Sequence, residues 1–343
     1  MIPEFYHGFM IYRNMHGPVY VSMHSGPSIE TPTNRENTET PASLACLETG
    51  GTLVLSNITR KRIFGIDFNR ELPTMDKALD MWNEFKTEAN PKLLKNFRMR
   101  YAFTAHDRTD YKARAAVYNN FWSTLRNTGN LYVFIHRKFS RIKNYPSIMD
   151  VVSFSGKGIN RRIIQNIINE LNEDYKMFFH KISEDYKKAI LLEQKRIFSN
   201  NERVKKRSEL ILRDGDFENH MASDMDVIKD FSDTEDKEAL QKRFNQRNFE
   251  TATKSAFKNL GNPLITLDDI FTGELAYGPK KELFLGKDKV VLEIECNEFL
   301  NHWYPEITAQ IIVSVIRKIR ASEEYRKIGY TQTDMERFFG RCS

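Results

Sequence analysis

The chain has 343 residues, 40% of them hydrophobic and 12% aromatic, enough for a sizeable core and too apolar for a mainly disordered chain. Its 52 basic and 46 acidic side chains leave a formal net charge of +6, with the two signs interspersed rather than gathered into an arm. No apolar stretch reaches the roughly 20 residues of a membrane-spanning helix, and the first residues have neither the basic start nor the apolar run of a signal peptide, so a cytoplasmic protein without a membrane partner is expected. Cys46, Cys296 and Cys342 are scattered and form no CxxC pair. Any metal would therefore be held by histidine and carboxylate.

In chain order, GFMIYRN (8–14) and GPVYVSMH (17–24) read as strands, and the turn-like Asn14-Met15-His16-Gly17 between them predicts a hairpin. The second run ends on His24, placed where strand ends of α/β proteins face the ligand crevice. TPASLACLETGG (40–51) carries helix punctuation, with Pro41 in the first turn and Gly50-Gly51 at the end. TLVLSN (52–57) and RIFGIDFN (62–69) read as strands, TMDKALDMWNEFKTEA (74–89) and DYKARAAVYNNFWSTLRNTG (110–129) as helices, and NLYVFIHRKF (130–139), with His136, as a strand.

From about residue 156 the texture changes. Ile163, Ile164, Ile167, Ile168, Leu171, Phe178 and Ile182 fall on one helical stripe, which needs a partner surface, either the sheet domain or a second copy in a homo-oligomer. An acidic run, RDGDFENHMASDMD (213–226), lacks EF-hand spacing and reads as a solvated loop. Strand character returns in KDKVVLEIECNEF (287–299), and EITAQIIVSVIRKIRASEEY (306–325) reads as a final helix. The expected architecture is α/β: a mixed sheet flanked by helices, formed by residues 1–155 and 260–343 and interrupted by a long helical insertion over 156–259.

Two strand-end histidines with carboxylates nearby match the ligand types of a catalytic zinc site, two imidazoles and one carboxylate with a position left open. Strand alternation places Glu293 and Glu295 on one face and Cys296 on the other, and it does not choose between the two glutamates. Because VVLEIE reads as a buried strand, a carboxylate there needs a partner.

His24-Ser25-Gly26, an acidic residue before a Pro-started helix, the Asp67-Phe68-Asn69-Arg70 motif, a strand-end histidine and a late strand with Glu295-Cys296-Asn297 follow in that order. This order resembles the N-formylglutamate amidohydrolase family, over about residues 15–75, 130–140 and 288–302. The resemblance implies a phosphorylase/hydrolase-like fold, one zinc ion, and hydrolysis of an amide C–N bond in an N-acyl amino acid or similar small carboxylate. It implies His24, Glu39 and His136 as metal ligands, although Glu30 and Glu36 are close enough in sequence to supply the oxygen instead. His136 stands in Phe-Ile-His-Arg, where the family commonly has Asp-x-His-Ser. Asn69 and Arg70 would clamp the substrate carboxylate, with Arg62 as a further substrate contact. Asp67 would orient Arg70 or a ligand histidine, and Glu295 would be the general base.

A second reading is a binding module for nucleic acid or protein on a degenerate hydrolase scaffold, supported by a pI near 9.0 and by the basic, aromatic stretches KLLKNFRMRYAF (92–103) and HRKFSRIKNY (136–145). The mixed charge of the helical region gives no long electrostatic footprint, so nucleic acid is not the expected partner.

Overall fold

A computed structural model describes residues 2–14, 17–26, 37–87, 90–138, 145–198, 261–269, 271–273, 276, 278–286, 288–323 and 325–326. Its strands are β1 (Ile2–Tyr6), β2 (Phe9–Arg13), β3 (Val19–Ser22), β4 (Thr52–Ser56), β5 (Leu131–Lys138), β6 (Ser147–Val152), β7 (Leu264–Leu267) and β8 (Val290–Asn297). Helices α1 (Glu39–Thr49), α2 (Met75–Thr87), α3 (Pro91–Arg100), α4 (Arg108–Arg126), α5 (Arg161–Asp174), α6 (Lys176–Phe198), α7 (Gly278–Leu285), α8 (Glu298–Trp303) and α9 (Pro305–Ala321) complete the described elements.

The strands form one mixed sheet in the order β1-β2-β4-β3-β5-β8-β6-β7. Its centre, β4-β3-β5-β8, is parallel; β2 runs antiparallel to β4 and β6 antiparallel to β8. The expected hairpin between β2 and β3 does not form, because β4 lies between them. The hairpin is β1–β2 instead, closed at His7-Gly8, where Gly8 takes the positive φ of 90° that a tight turn demands.

The expected strand over 62–69 is also absent. That segment is a compact turn whose backbone reaches sideways, Ile66 N to Thr59 O and Asp67 N to Ala102 O. Gly65 packs so closely on Thr59 that a Cβ would stand 1.6 Å from its carbonyl oxygen, which only glycine tolerates.

Alternation along β5 and β8 splits the core into two layers. Leu131, Val133, Ile135, Leu292, Ile294 and Cys296 pack with α1, α5 and α9 on one face. Tyr132, Phe134 and Val291 pack with Tyr118, Phe121 and Trp122 of α4 and Leu283 and Phe284 of α7 on the other. The predicted stripe meets the first layer: Ile164, Ile167, Ile168 and Leu171 of α5 and Phe179 and Ile182 of α6 are buried in it. Residues 199–260, with the acidic run, lie outside the described residues. No described helix is long and apolar enough to cross a membrane.

Candidate metal centre

On the α4/α7 face, the apolar positions of β5 and β8 give way toward the strand C-termini to His136, Lys138, Glu293 and Glu295. The parallel register places Phe134 beside Glu293 and His136 beside Glu295, so all four side chains share one face. His136, Glu293 and Glu295 are buried, and each offers a ligand atom within 4.8 Å of the other two. These three form the group that could hold a metal ion among the described residues.

Lys280, from α7, donates to Glu293 Oε2 and to Asn69 Oδ1 at 3.0 Å, and its ammonium lies 4.9 Å from the centre of the Phe134 ring. Glu293 Oε1 stands 3.9 Å from His136 Nε2. Burial alone would raise the Glu293 carboxyl. The Lys280 ammonium outweighs it, helped by His136 and a hydrogen bond from Glu295, and holds the group down to about 2. Glu293 is thus held as an anion. Two residues beyond His136, on the same face, burial pulls the Lys138 ammonium down to about 8, against the opposing charges of Asp150 and Glu295.

His24 follows β3 and lies beside His136, with ring centres 5.0 Å apart and planes at 66°. Its Nε2 is 3.1 Å from Asp67 Oδ1. Asp67 also accepts from Asn69 N at 3.0 Å and pairs through Oδ2 with Arg62 Nη2 at 2.9 Å. Burial would raise the Asp67 carboxyl, but Arg62 and His24 hold it well below the usual range. With Asp67 ionised, the His24 proton belongs on Nε2 and the lone pair on Nδ1. Asp67 thus fixes the ring of His24 through this contact.

Arg62, expected as a further substrate contact, is engaged within the fold. Its buried guanidinium donates to the carbonyls of Arg60, Arg98 and Tyr101 besides pairing with Asp67. It is a strut within the fold, with no arm extended toward a substrate. Arg70 differs: it is half-buried and makes two long bonds to carbonyls, Arg98 O and Asn69 O, both at 3.3 Å. Glu71, its sequence neighbour, is taken by Arg100 at 2.8 Å. Among the described residues no carboxylate lies within salt-bridge distance of Arg70.

Glu39 is the first residue of α1 and is not a member of the His136 group. The chain ahead of it is fastened by Ser22 Oγ to Thr38 Oγ1 at 2.6 Å and by Asn37 donating to Asn301 O. Glu30 and Glu36 lie outside the described residues. Of the site residues expected from sequence, the fold brings His136 and Glu295 together and sets His24 against His136, while Glu39 is outside the group of three. Glu293 was legible from alternation. Lys280 was not: α7 has no strong apolar period, and nothing local marks that lysine as buried.

An imidazole nitrogen and two carboxylate oxygens form a donor set that zinc and similar divalent cations accept. Two buried carboxyls side by side are an arrangement that a bound cation stabilises. Neither a family model, a curated protein nor a solved structure matches the chain.

Proposed function

We propose that the protein is a zinc-dependent hydrolase of an amide C–N bond, acting on an N-acyl amino acid or a similar small carboxylate. The observation that carries this reading is the buried group of His136, Glu293 and Glu295 with His24 against it, at the C-terminal ends of parallel strands where α/β sheets take ligands. His136 and Glu293 would hold one ion, with His24 alongside, its ring fixed by Asp67. When bound, the ion supplies Lewis acidity to a carbonyl and to water.

The remaining residues divide the work. Glu293, anchored by Lys280, is too firmly ionised to pick up a proton near neutrality. Glu295, buried beside Glu293 and His136, would take a proton from the attacking water and return it to the leaving nitrogen. Arg70 presents a guanidinium not matched to any described carboxylate and would hold the substrate carboxylate, with Asn69 beside it. Metal analysis of protein purified without chelator, followed by a panel of N-acyl amino acids, tests the reading. Near-stoichiometric zinc and turnover abolished by chelation are expected; metal-free protein that stays inactive on the panel after zinc loading would defeat it.

A further inference from the structure

The surface beside the site carries charge that the proposed chemistry does not use. Helix α3 contains Lys92, Lys95, Arg98 and Arg100 and no acidic residue. It packs through Leu94 and Phe97 onto Met81 and Phe85 of α2, so Lys92, Lys95 and Arg98 face solvent. Three residues apart, these cations are neighbours along one ridge of roughly 9 Å. Arg100 is paired with Glu71, but among the described residues the other three lie within salt-bridge distance of no carboxylate. Like charges at this spacing repel, which Arg98 offsets in part by lying 5.1 Å from the centre of the Phe85 ring.

The row also points somewhere. The carbonyl of Arg98, at its end, accepts from both Arg62 and Arg70, which joins α3 to the Asp67–Arg70 segment. Cations therefore run from Lys92 through Lys95 and Arg98 to Arg70, which follows Asn69, the residue bonded to Lys280 beside Glu293. We propose that this ridge docks an acidic stretch of polypeptide, whose carboxylates continue outward from the one held at Arg70. The role of that polypeptide as substrate rests on the hydrolase reading; the docking itself is a binding event that stands apart from turnover. A single-stranded nucleic acid has the right charge, but its binding sites stack successive bases on aromatic side chains. Here the aromatics of α2, α3 and the residue after α3, Trp82, Phe85, Phe97 and Tyr101, are buried or half-buried, so the row offers no run of exposed rings.

The test is fluorescence anisotropy of the full chain with fluorescein-labelled oligoglutamate, and with oligothymidylate of matched charge. Binding should weaken steeply between about 0.01 and 0.15 M salt, as the screening length falls from about 30 to 8 Å. Lys92→Glu/Lys95→Glu should weaken oligoglutamate binding at least about tenfold at low salt. Lys176→Glu/Lys181→Glu, the same charge change on exposed positions of α6, should change it by less than about twofold. Should the reversal unfold the chain by circular dichroism, Lys92→Gln/Lys95→Gln replaces it, with a loss of about threefold or more expected. Absent oligoglutamate binding, equal losses in the α3 and α6 variants, or tighter binding of oligothymidylate would each overturn the proposal. Oligoglutamate binding that persists in a protein inert toward every N-acyl substrate would count against the hydrolase reading and leave the docking surface standing.

Discussion

Lys280 and Glu293 form an ion pair in the buried layer between the sheet and α7, with both side chains almost wholly withdrawn from water. Such a pair adds little over an apolar one, but removing one member strands the other charge, at a cost of about 3–5 kcal/mol. Lys280→Met should lower unfolding free energy by that amount, because burial then acts unopposed on the Glu293 carboxyl. Lys280→Met/Glu293→Gln should recover most of the loss. A single variant that costs under about 1 kcal/mol in chemical denaturation would mean the pair is water-exposed in solution.

Asp67 offers a test of how His24 contributes. Asp67→Asn removes the anion that fixes the imidazole proton, and partners of ligand histidines typically change metal affinity by about 10–100-fold. Competition with a chelating dye should show zinc affinity falling within that range. Unchanged affinity would take His24 out of the metal centre and leave His136 and Glu293 to hold the ion.

Binding and proton transfer should separate by residue. Arg70→Ala is expected to raise KM with kcat little changed, whereas Glu295→Gln should keep its metal and lose about 10²–10⁴-fold in kcat. Steady-state kinetics alongside metal analysis reads both. Near-normal turnover by Glu295→Gln excludes that residue as the base, and Glu293 is then the next to test.

Far from the site, Glu4 gives a pH signature. Hydrogen bonds from Arg13 and Tyr6 hold its carboxyl at about 2, below the ordinary 4.5. A depressed carboxyl contributes stability that is fully present above 4.5 and is lost as pH falls through about 2. The pair is surface-exposed and screened by salt, so the contribution is at most about 1 kcal/mol. The Tm difference between the wild type and Glu4→Gln should shrink from about pH 5 to 2, and Arg13→Leu should move the Glu4 titration upward by NMR.

What the sequence determined by itself was whatever local period and punctuation carry. Alternation put Glu293 and Glu295 on the face opposite Cys296, and the helical period marked α2, α4, α5 and α9. The run ending at His24 is a strand, β3, that stops two residues before it. Pairing between distant segments was a different matter. The turn at 14–17 says that the chain reverses but not that β4 enters between β2 and β3, because strand order depends on burial summed over the whole sheet. RIFGIDFN has strand-like composition, yet side-chain and backbone bonds to Thr59, Arg98, Tyr101 and Ala102 hold it as a turn. Long charged side chains were least legible of all. Where Lys280 and Arg62 end depends on which distant acceptors the fold brings within reach, and a buried cation has the same one-letter code as an exposed one.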